Sequence, residues 1–245
     1  MKKVVIYGAT SAIAQSIAEI YAIEKAELLL IALEEEKLIS IKRNLEVKYN
    51  VIVNTLTHNA FNLDTIQETI HKAIDIIGFM DIFIVAHGIL PDQKRAENDL
   101  IYAFDTHMIN ANSVIALCLE AANFFEVKGS GTICVISSVA GDRGRQSNYI
   151  YGAAKGAVSI FLSGLRNRMT PKNVNVLTIK PGFVDSPMTA HLEKGLLFAS
   201  PLKIATCIKS AIDKKKSVAY APFYWGIIMF IVIHIPESIF KKLKM

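Results

Sequence analysis

Short apolar segments alternate with helical patterns along the first half of this chain. Residues 3–7, 28–32, 51–56 and 80–86 form apolar runs of strand length, and the segments between them have helical spacing. Runs that are apolar throughout indicate strands buried on both faces, which is typical of a parallel sheet covered by helices. The pattern therefore predicts an α/β fold in one domain: a Rossmann-type, doubly wound parallel sheet with helices on both faces.

A turn of small residues follows the first apolar run and leads into the first helical pattern. The turn includes Gly8, Thr10, Ser11, Ala12 and Ile13. Backbone amides at a helix N-terminus attract phosphate, and small side chains let a pyrophosphate approach the backbone. We therefore expect this turn to bind the phosphates of a nucleotide cofactor.

A second group of polar residues follows the apolar run at 133–136. Ser138 ends this run, and Tyr151 and Lys155 lie four residues apart on one face of the next helical pattern. A phenol has a pKa of about 10 and exchanges protons poorly at neutral pH unless a nearby cation stabilises its phenolate. The three side chains are suited to protonating a developing alkoxide, a reaction that also needs a hydride donor. Tyrosine and lysine at this spacing are also common on solvated helices, so the pair alone does not decide the function.

The composition suits one large domain and excludes some classes of partner. A chain of 245 residues that is 52% hydrophobic can bury a sizeable core. Its three cysteines lack disulfide spacing, which is typical of reduced thiols in a cytosolic protein, and its histidines lack metal-binding spacing, so we expect no metal. Six lysines and two acidic residues within 211–245 account for most of the net charge of +5. No basic stripe crosses the rest of the chain, so we expect no nucleic-acid partner.

Several motifs together resemble the short-chain dehydrogenase/reductase family over the whole chain. In order, they are the turn at Gly8, Gly88, Asn110, Ser138, Tyr151 with Lys155, and the segment 181–184. The thirteen-residue step from Ser138 to Tyr151 matches the family's usual spacing and selects Ser138 over Ser137. The resemblance implies an oxidoreductase that uses NAD or NADP to reduce a ketone or oxidise a secondary alcohol.

The resemblance also implies roles for individual residues. Tyr151 is the general acid and base, and Lys155 lowers its pKa and holds the nicotinamide ribose. Ser138 orients the substrate carbonyl, and Asn110 holds a water molecule that relays protons from Lys155; the alternative for Asn110 is an ordinary polar helix residue. The implied cofactor contacts are Gly8, Thr10, Ser11, Ala12, Ile13, Gly88, Tyr151, Lys155, Pro181, Gly182, Val184 and Ser186.

The chain departs from the family pattern in its glycine turn and before Gly88. Ala12 and Ala14 replace the second and third glycines of the turn, which narrows the approach to the pyrophosphate. The segment 85–87 ends in His87 where the family usually has paired asparagines. This second departure implies that a sheet-bracing contact is lost.

A third departure concerns the choice of cofactor. The second strand ends at Ala32, Leu33 and Glu34, with neither the aspartate that binds ribose hydroxyls nor the arginine that binds a 2′-phosphate. We expect Glu34 and Lys37 to face solvent on the next helix; the alternative is that Glu34 reaches the ribose and Lys37 a phosphate. The choice between NAD and NADP therefore stays open.

Two segments contain candidate substrate contacts. Arg143 and Arg145 lie between Ser138 and Tyr151, where a guanidinium can bind a phosphate or carboxylate of the substrate. The alternative is salt bridges within the protein or across a subunit contact. Met188 and His191 lie where the family places its substrate lid and are further candidates.

The C-terminal residues 222–245 form an apolar and basic extension to the domain at 1–221. No charged residue lies between Lys216 and Glu237. A helix over 222–235 would span about 21 Å, against about 30 Å for the hydrocarbon core of a bilayer. We therefore expect a segment that lies on a membrane surface. The alternatives are a buried C-terminal helix or a subunit contact.

A narrower resemblance concerns the substrate. The alanine-containing turn, the segments 87–94 and 141–155, and the C-terminal extension resemble bacterial relatives of decaprenylphosphoryl-2-keto-erythro-pentose reductase. This resemblance implies a keto-sugar carried on a polyprenyl phosphate, and a cytoplasmic enzyme that is free or peripheral at the inner face of the membrane. The alternatives are a soluble carbonyl or 3-ketoacyl reductase and a non-catalytic dinucleotide-binding sensor. The family also implies a homodimer or homotetramer, formed through residues 100–125 and 149–169.

Overall fold

A parallel sheet of seven strands forms the centre of the computed structural model, which describes residues 1–190 and 192–243. The strands are β1 (Lys3–Tyr7), β2 (Glu27–Ala32), β3 (Val53–Thr57), β4 (Ile82–Val85), β5 (Gly131–Ile136), β6 (Val174–Pro181) and β7 (Val218–Ala221). Their order is β3-β2-β1-β4-β5-β6-β7, and every neighbouring pair is parallel. The predicted Rossmann-type, doubly wound sheet is confirmed.

Helices connect the strands and cover both faces of the sheet. The α-helices are α1 (Ala12–Ile23), α2 (Glu35–Tyr49), α3 (Ile66–Ile77), α4 (Gln93–Asn98), α5 (Leu100–His107), α6 (Ser113–Lys128), α7 (Tyr149–Met169), α8 (Pro201–Asp213), α9 (Tyr224–His234) and α10 (Glu237–Phe240). Turns of 3₁₀-helix lie at Leu63–Thr65, Val139–Gly141, Thr170–Lys172 and Pro187–Thr189, and a π-helical turn lies at Met108–Asn112. The predicted bounds of β1 agree with the structure, whereas β3 begins at residue 53 rather than 51.

The strands have apolar residues at consecutive positions because both faces of the sheet are buried. In β2, Leu28 and Leu30 belong to the core layer formed with α1, α2 and α8. Leu29 and Ile31 belong to the opposite layer, formed with α3, α6 and α7. Since successive side chains of a strand point to opposite faces, a polar residue at any of these positions would be buried.

The strand order reverses between β1 and β4, and this reversal places a crevice at the carboxyl ends of the strands. Gly8 follows β1 at this point with a φ of +80°. A Cβ atom on Gly8 would lie 2.4 Å from the backbone nitrogen of His87, so no other residue fits. The turn that leads into α1 therefore packs directly against the end of β4.

The C-terminal extension packs on the same end of the sheet. Trp225, Met229, Val232 and Phe240 form a buried apolar cluster with Val139, which lies in the turn after β5. The extension therefore contacts the loops that surround the crevice.

One helical run is long and apolar enough to cross a membrane by length and composition, and it extends from Leu100 to Lys128. Half of its apolar window is buried inside the protein. Because α6 packs against both α3 and α7, this run has the surroundings of a core helix.

Candidate active site

A cavity of about 540 Å³ opens at the carboxyl ends of the strands. Its size lies within the range of about 300–1,000 Å³ that is typical of ligand sites. The cavity extends from the turn after β1 to the loop after β6 and brings all the predicted cofactor contacts together. These are Gly8, Thr10, Ser11, Ala12, Ile13, Gly88, Tyr151, Lys155, Pro181, Gly182, Val184 and Ser186.

The N-terminus of α1 forms the phosphate-binding end of the cavity. Ser11 caps the helix by accepting a hydrogen bond from the Ala14 amide at 3.3 Å. The amides of Ala12 and Ile13, in the first turn, have no acceptor within the helix. Ala14 is fully buried in the core, so of the two alanines that replace glycine, only Ala12 narrows the cavity. The residues at this end therefore fit the pyrophosphate of a dinucleotide.

The end of β2 forms the opposite rim. The Thr10 hydroxyl donates to the Glu34 carboxylate at 2.8 Å, and Lys37 lies 3.6 Å from the same carboxylate. The Thr10 hydrogen bond is the main reason that the pKa of Glu34 is lowered. Both side chains are exposed to solvent, as expected, and both also line the cavity. An anion and a cation lie side by side where an adenosine ribose would bind.

Ser138, Tyr151 and Lys155 form the floor of the cavity. The Lys155 ammonium lies 5.7 Å from the centre of the Tyr151 ring and donates to the carbonyl of Ile136 at 3.2 Å. Ser138 lies two residues after β5 and caps the following turn through the Ala140 amide, 3.1 Å from its Oγ. One strand end and one helical turn therefore bring the three predicted catalytic side chains together.

Burial sets the protonation of the floor. It raises the pKa of Tyr151 to about 12, although the Ser138 hydroxyl acts in the opposite direction. Burial also lowers the pKa of Lys155 to about 8. Loss of hydration is the largest contribution to the pKa of Tyr151, and the lowering of that pKa by Lys155, whose ammonium lies 5.7 Å from the ring centre, stays a prediction. Tyr151 is therefore protonated at neutral pH, which is the form that donates a proton.

Ser137 has a different environment from Ser138. Its hydroxyl donates to the backbone carbonyl of Lys155 at 3.1 Å and lies 2.9 Å from the Ser159 hydroxyl. These bonds fix the end of β5 to α7. Ser138 therefore remains the serine available to a substrate, in agreement with the spacing argument.

Asn110 lies behind the floor in the π-helical turn between α5 and α6. Its side-chain amide donates to the carbonyls of Ile89 and Thr106 at 2.9 and 3.0 Å, and its oxygen accepts from the Ile89 amide at 3.0 Å. Asn110 therefore holds the loop after β4 in place. The proton-relay role stays a prediction.

His87 braces the sheet where a loss of bracing was expected. One ring nitrogen lies 2.7 Å from the Ser113 hydroxyl at the start of α6, and the ring packs edge-on against Tyr7. Burial lowers the pKa of His87 to about 3, with a smaller contribution from the charge of Lys155. The expectation of a lost contact is wrong, because neutral His87 joins the end of β4 to α6.

The two arginines predicted to contact the substrate, Arg143 and Arg145, have different surroundings in the structure. Arg143 Nη1 donates to the carbonyls of Val232 and Ile235, both at 2.6 Å, and its Nη2 lies 2.9 Å from Glu237. Its guanidinium also stacks over Phe240 at 3.6 Å. The prediction that Arg143 contacts substrate is therefore wrong, since its donors are bound to the C-terminal extension; the alternative of an internal salt bridge is correct.

Other parts of the rim are mostly apolar. Arg145 and Met188 line the cavity, whereas His191 lies outside the described residues. Phe183, within the predicted segment 181–184, also lines the cavity, and lining residues that the sequence reasoning missed include Ile89, Leu90, Val139, Asn148 and Leu192. No local pattern distinguishes these side chains from ordinary core or surface residues.

Trp225 supports the rim from the C-terminal extension and was also missed. A Cβ atom on Gly182 would lie 1.9 Å from Trp225 Nε1, so the indole requires glycine at that position. Phe183 packs edge-on against Trp225 and is stacked on Phe198. The extension thus holds the loop after β6 from outside the cavity.

Known proteins resemble this chain over nearly its full length. Residues 2–196 match the short chain dehydrogenase family. An uncharacterized oxidoreductase of Mycobacterium tuberculosis strain H37Rv is 29% identical over 242 residues, which cover 98% of this chain and 96% of that protein. An uncharacterized oxidoreductase of Streptomyces coelicolor is 24% identical over 242 residues, which cover 99% and 96% respectively.

Solved structures share the fold. A short-chain dehydrogenase from Sphingobium yanoikuyae in complex with NADPH has a TM-score of 0.82 at 20% identity and covers 97% of this chain and 98% of its own. A bulky-bulky ketone specific alcohol dehydrogenase from Comamonas testosteroni has a TM-score of 0.80 at 20% identity, with coverages of 97% and 96%. At 20% identity, these two structures show only that the fold is shared.

Proposed function

We propose that this chain, which belongs to the short chain dehydrogenase family and is an NAD(P)-dependent oxidoreductase, reduces a ketone to a secondary alcohol or catalyses the reverse oxidation. The observation that carries the proposal is the floor of the cavity. Tyr151 is protonated there, beside Ser138 and one helical turn from the Lys155 ammonium.

The residues of the floor divide the chemistry between them. The bound cofactor supplies or accepts the hydride. Ser138 donates a hydrogen bond to the carbonyl oxygen, and Tyr151 transfers its phenol proton to that oxygen as negative charge develops on it. The phenolate that remains is stabilised by the Lys155 ammonium until a proton returns from water. In the oxidation, Tyr151 removes the alcohol proton by the same path.

Cofactor binding and turnover test this proposal. A thermal titration with NADH and with NADPH measures binding without turnover, since a ligand at 100 times its dissociation constant stabilises a protein by about 2.7 kcal/mol. Oxidation of the better cofactor is then followed with a panel of ketones. Binding without reduction of any ketone would contradict the enzyme assignment and favour the dinucleotide-binding sensor.

We also propose that the substrate is carried on a lipid, as a keto-sugar on a polyprenyl phosphate. Support comes from one face of α9, formed by Phe223, Ile227, Phe230 and Ile231, whose residues are 60–78% exposed. The first turn of α9 lies near the segment that precedes α8, since the Tyr224 hydroxyl lies 3.5 Å from the Leu197 carbonyl. Lys241 and Lys242 are exposed just beyond α10 and add positive charge. Such a surface suits the interface of an anionic bilayer.

Vesicle binding tests the lipid proposal. We expect the wild-type protein to float with phosphatidylglycerol vesicles and the double variant Ile227→Gln, Phe230→Gln to lose most of that binding. Val127→Gln is the matched control, because Val127 is 90% exposed on α6. A wild-type protein that does not bind vesicles, with a double variant that loses subunit association, would assign the α9 face to a second copy of the chain.

Substrate competition separates the lipid proposal from a soluble carbonyl or 3-ketoacyl reductase. The purified enzyme is supplied with a lipid-linked 2-keto-pentose and with a 3-ketoacyl thioester. We expect turnover of the lipid-linked sugar. Turnover of the thioester alone would leave the oxidoreductase assignment intact and overturn the lipid-linked substrate.

A homodimer or homotetramer remains our prediction. Leu100, Ile101 and Phe104 on α5 are each more than 70% exposed. Three large apolar side chains on one short helix favour a protein contact at this surface. Analytical ultracentrifugation of the wild type and of Ile101→Lys tests it, and a wild type that sediments as a monomer would contradict it.

A further inference from the structure

We infer that Arg145 binds an anionic group of the substrate, so that the preferred ketone carries a phosphate or a carboxylate. The inference rests on the proposed function, because it concerns the substrate side of the same cavity. The inference goes beyond the proposed function because it assigns one residue, Arg145, and one chemical feature of the substrate, its anionic group.

The charges of the loop at 141–148 carry the inference. Asp142 is paired with Lys180 and accepts a hydrogen bond from the Tyr220 hydroxyl at 2.8 Å. Arg143 is bound by Glu237 and by carbonyls at the end of α9. Two of the three charged side chains in this loop are therefore satisfied by the protein itself.

Arg145 differs from both neighbours. Its Nε is buried and has no hydrogen-bond partner within residues 1–190 and 192–243. The nearest opposing charge that affects it is Asp142, whose carboxylate is already held by Lys180 and Tyr220. Leaving a partly buried guanidinium without an acceptor costs free energy, so a ligand that supplies oxygen atoms is the partner that this site lacks.

The position of Arg145 points to the substrate and away from the cofactor phosphates. Arg145 lines the cavity and follows Ser138 in the loop that leads to Tyr151. The cofactor phosphates have their own donors at the N-terminus of α1. Asn148 lines the same cavity, and within the described part of the chain its side-chain oxygen is also buried without a partner. These two unpaired groups indicate that a polar part of the ligand binds here.

The chemistry of the guanidinium sets the class of ligand. Arginine stays charged and presents parallel N–H donors that match two oxygens of a phosphate or carboxylate. Apolar neighbours such as Leu90 and Val139 reduce competition by water. The preferred substrate therefore combines a ketone, an apolar portion and one anionic group.

Matched ketones test the inference. The phosphate pair is 4-acetylphenyl phosphate and 4-methoxyacetophenone, and the carboxylate pair is 4-acetylbenzoate and its methyl ester. Their dissociation constants are measured by calorimetry in the presence of the oxidised cofactor, and kcat and KM are measured with the reduced cofactor. The two pairs show which anion is bound.

We expect wild-type enzyme to bind at least one anionic ketone more tightly than its neutral partner by roughly 10- to 100-fold, which is the scale of a charged hydrogen bond. Arg145→Met should remove this preference by raising KM for the anionic ketone toward that of its neutral partner, without a matching loss of cofactor affinity. Arg145→Lys should retain part of it. Arg143→Met is the matched control, since it removes the same charge two residues away and should keep the preference.

The outcomes distinguish the inference from the proposed function. If neutral and anionic ketones are bound equally by the wild type, or if Arg145→Met keeps the preference, the inference is wrong while ketone reduction stands. If Arg145→Met loses cofactor affinity to the same extent, Arg145 serves the cofactor and the inference is also wrong. If the cofactor binds and no ketone of either kind is reduced, the proposed function fails, and the calorimetry still decides whether Arg145 binds the anion.

Discussion

The floor and the rim of the cavity are held together by different contacts. The floor consists of Ser138, which follows β5, and of Tyr151 and Lys155 on α7. Lys155 is only 3% exposed. The rim includes the loop at 141–148 and the loop after β6, which the C-terminal extension holds through Arg143 and Trp225. Changes in the floor should therefore alter chemistry, whereas changes in the rim should alter stability and substrate choice.

The largest effect is expected from Tyr151→Phe in the floor. Removing the phenol proton should lower kcat by about 10²–10⁴-fold, which is the usual contribution of a positioned general acid. The dissociation constant of the cofactor and the free energy of unfolding should stay close to those of the wild type. Steady-state kinetics measures kcat, and calorimetry measures cofactor binding and unfolding. A variant with wild-type kcat would show that Tyr151 is not the proton donor.

In the rim, Trp225→Ala should be strongly destabilising. The indole is 3% exposed and packs on Gly182 and Phe183, so its removal should lower the free energy of unfolding by about 3 kcal/mol. Urea denaturation measures this change. The neighbouring Phe223→Ala is the control, because Phe223 is largely exposed and should change stability by less than about 0.5 kcal/mol. Equal losses in the two variants would contradict the packing of α9 on the rim.

Lys155→Met should stabilise the cofactor-free protein while it impairs catalysis. Because burial lowers the pKa of Lys155 to about 8, the unfolded chain binds more protons than the folded chain between this pKa and the usual value of about 10.4. Wild-type stability should therefore gain up to about 3 kcal/mol as the pH rises through that interval, and lose it again as the pH falls toward 8.

The difference between wild type and Lys155→Met isolates this group. At pH 7 the variant should unfold at a higher temperature than the wild type. This difference in unfolding temperature should shrink as the pH approaches 10. Differential scanning calorimetry at several pH values gives the comparison. If the difference in unfolding temperature does not depend on pH, burial of the Lys155 charge is not the cause of that difference.

The smallest effect separates two contacts of Arg143. Arg143→Met should lower the free energy of unfolding by about 1–3 kcal/mol, because buried carbonyls at the end of α9 lose their donor. Glu237→Gln should cost less than about 1 kcal/mol, since that carboxylate is largely exposed to solvent. Chemical denaturation of both variants ranks the two contacts. A larger loss of stability in Glu237→Gln than in Arg143→Met would contradict this account of how Arg143 binds the C-terminal extension.

The contrast between floor and rim also explains what the sequence could predict. Tyr151 and Lys155 meet because helical periodicity brings positions four apart onto one face, and β1 with its glycine turn follows from local pattern alone. The π-helical turn around Asn110 and the brace formed by His87 depend on contacts with other elements. These features have no signature in the local sequence.

The rim depends on contacts between distant residues and was harder to predict. Arg143 stacks on Phe240 and Gly182 packs against Trp225, and neither pairing follows from spacing. The pattern identified both arginines of the loop as candidates. Only the fold separates Arg143, which the extension binds, from Arg145, which lines the cavity.

Isotope transfer tests the central assignment most directly. The protein is supplied with NADH or NADPH that carries two deuterium atoms at C4 of the nicotinamide, together with a ketone that it reduces, and the alcohol is analysed by mass spectrometry. We predict one deuterium on the carbinol carbon with the wild type, and a rate reduced by at least about 10²-fold with Tyr151→Phe. Tight binding of the cofactor with no transfer of deuterium to any ketone would contradict the account.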